Sequence, residues 1–353
     1  MKRRIAILEK TKTPYRPPVF NSIGETHEVT VFYANASESH REWDTSHEFR
    51  NFTETSISAI RIGPLVFPSP SFLHQLIRDD FDEFIANSSS AVILCSVLMA
   101  VAAKITGSTF TMWTERINTD WADSKRGSRF QQITRRFWVT FHESVRYKLY
   151  QLVDRVAAFS NLAADAAAQN DVDHECIKTA PQALPRQIMA DPDHGSIPPT
   201  DKFRIVSICY LTGRKGVDIL IDSIKEINAD LELLVAGKGP QSPELHRLAK
   251  DDDRIKFLGY VSEGKKTALL ESADLFVLPS RHEPWGLVVN EALNCGTPVI
   301  TTSTAGAEMI LNNRHVVPPA DVDALCQAIS AEMKTPSSPP TPPSVEDMAC
   351  ILK

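Results

Sequence analysis

ADLFVLPSRHEPWGLVVNEALNCGTPVI, residues 273–300, reads as strand, loop, helix and strand in sequence. Leu275–Leu278 is a short apolar run closed by Pro279, as expected of a strand covered on both faces. Apolar residues then recur at helical spacing over Gly286–Cys295, and Pro298–Thr301 returns to a β-rich pattern. Consecutive strands separated by a helix pair in parallel, because a hairpin turn cannot join parallel neighbours.

The same rhythm continues upstream. Phe203–Cys209, Leu231–Ala236 and Ile255–Leu258 read as strands. Gly216–Ile227, Pro243–Lys250 and Lys265–Glu271 read as helices. The first half repeats it less regularly. Strands are expected at Arg4–Leu8, Glu28–Tyr33, Ser56–Ile62, Phe81–Ala86, Phe110–Trp113, Val156–Ser160 and Ile177–Ala180, and helices at Pro18–Ile23, Ser71–Arg78, Val92–Lys104 and Phe130–Tyr150. Between the halves lies ADPDHGSIPPT (190–200), with the composition of a linker. The expected architecture is therefore α/β, with two Rossmann-like doubly wound parallel-sheet domains, 1–189 and 201–334, facing across a ligand cleft. Residues 335–353 follow as a proline-rich spacer (TPSSPPTPPS, 335–344) and a short terminal segment, VEDMACILK, fit to be a docking helix.

Inside the opening stretch stand two carboxylates, Glu283 and Glu291. Pro284 suits the first turn of a helix, so Glu283 is expected at or just before its N-cap. Eight helical residues would separate the two acids by about 12 Å along the axis, more than the roughly 5 to 9.5 Å of a hydrolase carboxylate pair. Glu291 shares its face with Leu287, Val288 and Cys295, so it needs hydrogen-bond donors. Gly286 lets a ligand approach the main chain, and a helix start welcomes phosphate. One long ligand carrying a sugar, a diphosphate and a ribose would meet all of these. The alternative is a capping Glu283 with Glu291 satisfied by a neighbouring lysine or serine.

HEPWGLVVNEALNCGTPVI resembles the E-x7-E segment of retaining GT-B glycosyltransferases of family 4, which use nucleotide sugars. GRKGVDILIDSI (213–224), LELLVAGKGP (231–240), IKFLGYV (255–261) and ADLFVLPSRHEPWG (273–286) follow the family's order and spacing. TPYRPPVFNSI (13–23) resembles the start of the acceptor domain in a subset of it. The resemblance implies that Glu291 holds the ribose hydroxyls and that Glu283 lies against the transferred sugar as the catalytic-site residue. It also implies that the amides of Gly286, Leu287 and Val288 meet sugar and phosphate, and that Lys215 neutralises the diphosphate. Charge developing on a leaving phosphate is what such a lysine and helix start would stabilise, without a metal. Relatives usually carry Gly-Arg a few residues before this lysine; Cys209 and Tyr210 stand there instead, with Arg214 placed to compensate. The glycine-rich turn that many relatives have after the first strand is missing from Thr11–Arg16, and 308–319 is shortened.

The resemblance implies a retaining, metal-independent hexosyltransferase, expected to move a hexose-type sugar from a nucleotide-diphosphate sugar to a hydroxyl of a glycan or lipid-linked saccharide. Two other readings stay open: a silent homologue acting as a binding or scaffold subunit, motivated by Tyr210, and a sugar epimerase of the same fold.

The rest of the sequence sets boundaries. The chain of 353 residues is 42% hydrophobic and 23% charged with a net charge of −6, a soluble globular composition with no bias toward nucleic acid. Six scattered cysteines without a CxxC suit a reducing compartment. With no signal peptide legible at MKRRIAILEK, the expected location is cytoplasmic. His142-Glu143 and His282-Glu283 lack a second histidine four residues on, so no metal is expected. Gly237 and Gly239, in the GKGP turn, are expected to border the nucleotide. Residues 125–148 mix seven Lys and Arg with five aromatics. Two readings stay open for such a helix: an amphipathic helix packed on the sheet, and one whose arginines meet an anionic membrane at its inner face. Glu115, in MWTER, falls where an acceptor domain would face its ligand.

Overall fold

The computed structural model describes residues 2–34, 51–62, 65–115 and 129–353. It forms two compact units: Met1–Ala180 with Val345–Lys353, and Pro181–Ser344.

The first unit runs β1 (Arg4–Glu9), α1 (Pro17–Gly24), β2 (Glu28–Tyr33) and β3 (Phe52–Ser56). A hairpin follows, β4 (Ala59–Ile62) and β5 (Leu65–Pro68), and then α2 (Pro70–Arg78), β6 (Glu83–Asn87), α3 (Ile93–Thr106) and β7 (Thr109–Thr114). α4 (Arg129–Tyr150), β8 (Arg155–Ala158), α5 (Asn161–Ala168) and β9 (Ile177–Thr179) complete the series. The sheet order is β3-β2-β1-β6-β7-β8-β9, and every pairing in it is parallel. Its order reverses direction between β1 and β6, a topological switch point. The strand expected at Ser56–Ile62 is split. After the Ile57 amide bonds to Tyr33 the chain leaves the sheet, and Ser58 accepts from the Ser69 amide to open the separate antiparallel hairpin.

The second unit holds β10 (Phe203–Ile208), α6 (Val217–Glu226), β11 (Leu231–Ala236), α7 (Ser242–Ala249), β12 (Ile255–Gly259), α8 (Glu263–Glu271) and β13 (Leu275–Leu278). α9 (Leu287–Asn294), β14 (Val299–Thr302), β15 (Val316–Val317) and α10 (Val322–Lys334) follow. The order β12-β11-β10-β13-β14-β15 is again parallel throughout. Alternate residues of its strands enter two cores: Ile205, Leu233 and Val277 on one face, Val206, Leu234 and Phe276 on the other. Burial on both faces is why these strands read as unbroken apolar runs. α6 lays Val217, Leu220, Ile221 and Ile224 on the first core at helical spacing.

The boundary between units falls at Ala180 and Pro181, ahead of the proline-rich stretch 190–200. Backbone hydrogen bonds explain why. The carbonyls of Gln182 and Leu184 accept from the side-chain amides of Asn290 and Asn294, both at 2.7 Å. The Asp193 amide donates to Gly264, and Pro198 accepts from Arg204. The start of the 335–344 stretch is also tied down. Buried Glu332 accepts from the Ser337 amide and hydroxyl at 2.6 and 2.7 Å, from Arg314 at 2.6 Å and from His315 at 3.1 Å. The terminal segment forms α11 (Val345–Ala349) and packs on α1, burying Met348, Ile351 and Leu352.

No described helix is long and apolar enough to cross a membrane. Of the basic, aromatic stretch 125–148, the side chains before Val139 lie outside the described residues. Within the described part Arg146 is buried and bonds to Ser88, Ser90 and Glu143, so this arginine is turned inward. Phe141 and Tyr147 are both 39% exposed.

Candidate functional site

The 3-10 turn Gly213–Lys215, between β10 and α6, carries two cations. Gly216 closes it at φ +66°, and a Cβ there would stand 2.0 Å from the Pro279 carbonyl oxygen. Only glycine lets the turn lie against the segment after β13, which explains the Lys-Gly pair. Arg281 locks the contact. Its guanidinium grips Asp218 with two bonds of 2.7 and 2.6 Å and donates to Gly213 at 2.8 Å, while its amide donates to the Arg214 carbonyl. A bidentate fork of this kind fixes orientation as well as distance.

So held, Lys215 reaches Glu283 Oε2 in a direct ion pair. Arg214 donates to the same oxygen at 3.2 Å and to the His282 carbonyl at 2.8 Å. Glu283 is buried, and two cations share one of its oxygens. Beside them lies Cys209. Burial pushes its thiol to about 11, with Lys215 and Arg214 pulling it down and Glu283 pushing it up. It is therefore an un-ionised thiol rather than a nucleophile. Tyr210, in the place of the usual arginine, is 54% exposed.

Glu283 is not at a helix N-cap. Its amide donates to Thr304, its carbonyl accepts from Gly306, and Trp285 accepts from the Ala307 amide, so 283–285 is non-helical backbone pinned to 304–307. Trp285 is buried, and its indole N–H donates to Asn290 at 2.7 Å. α9 begins only at Leu287, with Gly286 as its N-cap at φ +96° and no side chain capping it. The amides of Leu287 and Val288 thus open the helix without intrahelical partners. Only the four steps from Leu287 to Glu291 rise helically, about 6 Å along the axis rather than the 12 Å expected of eight.

Glu291 Oε1 accepts from Lys266 Nζ at 2.8 Å, and Lys266 also pairs with Glu263 at 2.6 Å. Burial draws the Lys266 pKa down, but Glu291 and Glu263 outweigh it and hold the ammonium charged. The lysine partner weighed for Glu291 is therefore present. It fixes Oε1 of the carboxylate.

Gly237 and Gly239 have internal roles. The Gly237 amide donates to Gly259 at 2.7 Å and the Gly239 amide to Ser242 Oγ at 3.2 Å. A Cβ on either would strike the Cys209 or Leu211 carbonyl oxygen. Their place is turn closure at the ends of β10 and β11. Sequence reasoning overlooked Arg281, Asp218 and Lys266. The helical spacing of Lys266 three residues after Glu263 was visible, whereas the Arg281–Asp218 fork joins residues 63 apart and leaves no local signal. No cluster of three metal-binding side chains occurs among the described residues.

Residues 202–334, which hold all of these groups, match the family of glycosyl transferases group 1. A phosphatidyl-myo-inositol mannosyltransferase of Mycobacterium leprae is 31% identical over 132 residues, 35% of this chain and 35% of that protein. The matched part spans about a third of the relatives' length. Among solved structures, Anabaena HepE in complex with UDP and glucose superposes with a TM-score of 0.66 at 17% identity, over 99% of this chain and 92% of that one. Sucrose-phosphate synthase from Thermosynechococcus elongatus superposes with a TM-score of 0.66 at 18% identity, over 95% and 90%. The fold is that of GT-B glycosyltransferases, with two parallel-sheet, Rossmann-like units.

Proposed function

We propose that the protein is a retaining, metal-independent glycosyltransferase that moves a hexose-type sugar from a nucleotide-diphosphate sugar to a hydroxyl of a glycan or lipid-linked saccharide. One observation carries the reading: Lys215 and Arg214 converge on Glu283 at the approach to α9, and Glu291 lies on the same helix, inside the stretch matching glycosyl transferases group 1. The HepE complexes, which hold UDP and glucose or UDP-glucose, support a nucleotide sugar as donor.

In this reading the uncapped start of α9 receives the sugar and the phosphate nearest it through the amides of Gly286, Leu287 and Val288. Lys215 and Arg214 turn part of their charge from Glu283 to the diphosphate. Without a donor, Glu283 supplies the counter-charge that keeps the two cations ordered. With one bound, its carboxylate faces the positive charge that builds on the sugar as the bond to phosphate lengthens. Glu291, steadied by Lys266, accepts from the ribose hydroxyls. The departing phosphate takes up the acceptor's proton on the face it leaves, which gives retention without a protein nucleophile. The acceptor is met at the inner face of an anionic membrane through the basic, aromatic stretch 125–148.

The test is transfer from a panel of nucleotide sugars by wild type, Glu291→Ala and Lys215→Ala, with the anomeric configuration of the product read by NMR. Product of inverted configuration would overturn retention. Tyr210 favours one rival, a silent binding homologue. That rival predicts that the wild type neither binds nor hydrolyses any donor.

A further inference from the structure

Lys266 stands where local chemistry argues against a lysine. It is the fourth residue of α8, near the positive end of the helix dipole, which opposes a cation. Its side chain is only 17% exposed, so the ammonium has also lost most of its water, a cost that paired partners must offset. Two carboxylates do so. Nζ donates to Glu291 Oε1 at 2.8 Å and pairs with Glu263 at 2.6 Å. The two acids are unequal. The Glu263 side chain, on the lysine's own helix, is 62% exposed, whereas that of Glu291, on α9, is 16% exposed.

Both helices are fixed around this pair. Ser262 caps α8 by accepting from the Lys265 amide. Thr297, just past α9, donates its hydroxyl to the Leu270 carbonyl at 2.6 Å. Leu269 and Leu270 of α8 share one buried core with Val289, Ala292 and Leu293 of α9. Nζ is thus a stationary anchor for a carboxylate that would otherwise turn about its own side-chain torsions, and a charge-assisted bond is the kind that sets orientation.

We infer that Lys266 is the positioning residue for Glu291, and that its hold on Oε1 gives the donor site its preference for ribose over deoxyribose. The inference rests on the transferase reading, in which Glu291 accepts from the ribose hydroxyls. An acceptor rejects a ligand lacking a hydroxyl only when it is held where that hydroxyl would be and is left unpaired without it. A carboxylate free to turn away finds other partners and loses the distinction. A lysine that merely balanced charge between two helices would leave the distinction untouched.

The test is calorimetric titration of the full chain with UDP, GDP and ADP, each beside its 2′-deoxy form. The wild type should bind its ribonucleotide about tenfold or more tighter than the deoxy form, as for one hydrogen bond to a charged group. Lys266→Met should cut that ratio to about threefold or less, while its affinity for the deoxynucleotide stays within about twofold of the wild type's. Lys266→Arg, which keeps a cation in reach, should restore most of the ratio. Glu263→Gln, which leaves Lys266 to Glu291 alone, should not lower it. Adding Lys266→Met to Glu291→Ala should change the ratio no further, because the lysine acts through the glutamate. Circular dichroism checks each fold, and Lys266→Gln carries the comparison if Lys266→Met does not fold. A wild-type ratio in the folded Met or Gln variant would overturn the inference, as would a further fall on the Glu291→Ala background. Wild type that binds both sugar forms equally would also overturn it and spare the transferase reading, whereas wild type that binds no nucleoside diphosphate would defeat that reading itself.

Discussion

The two units build parallel sheets of one type and prepare their carboxyl edges for opposite chemistry. In the first, the helix after β1 begins with Pro17-Pro18, and the nearby Arg16 is neutralised by Glu115 and shielded by rings. In the second, α9 begins with Gly286, Leu287 and Val288, uncapped by any side chain, and two cations share a single glutamate oxygen. One edge has spent its positive charge, and the other holds it in reserve. The same fold thus carries different charge at its two carboxyl edges through a handful of loop residues, as expected when function resides in sites rather than folds.

The contrast is best broken at Lys215. Lys215→Ala should lower the transfer rate roughly a hundred- to thousandfold, as for loss of a group that stabilises transition-state charge, while circular dichroism stays that of the wild type. Glu291→Ala should act on donor affinity, weakening nucleoside-diphosphate binding about tenfold or more by calorimetry, since it removes charge-assisted hydrogen bonds. Gly216→Ala sharpens the comparison from the structural side. A Cβ at φ +66° facing the Pro279 carbonyl should cost about 3 kcal/mol of stability by denaturant unfolding.

The smallest effects concern one buried carboxylate in each unit. Burial alone would raise Glu332, but Ser337, Arg314 and His315 bind it and hold it down to about 2. Its folded pKa lies below the unfolded 4.5. Its contribution is therefore complete above that value and lost as pH falls toward 2, about 2–3 kcal/mol in all. Glu9, raised from 4.5 to about 7, has the opposite sign. Its contribution is present below pH 4.5 and lost as pH rises through 7. Melting curves across pH should show Glu332→Gln flattening the acid limb and Glu9→Gln flattening the slope between 4.5 and 7.

The second sheet was legible because strands buried on both faces read as apolar runs, and because Gly216 and Gly286 mark real backbone constraints. The start of α9 was misplaced because Pro284 suits a first helical turn locally. Pairing of Glu283 with Thr304 and Gly306, which is set by tertiary structure, keeps this segment out of the helix. Glu283 and Lys215, singled out by their motifs, are brought together, but the fork that positions the lysine, Arg281 to Asp218, was not legible. In the first unit the surroundings of Arg16 were invisible beforehand. Glu9 and Trp113 are distant in sequence and flank Arg16 only because β1 and β7 end at the same edge.

The most direct test of the central claim is calorimetric titration of the wild type, Lys215→Ala and Glu291→Ala with nucleoside diphosphates. The account predicts saturable binding by the wild type without added metal, weakened in both variants. Equal binding by all three proteins, or none by the wild type, would contradict it.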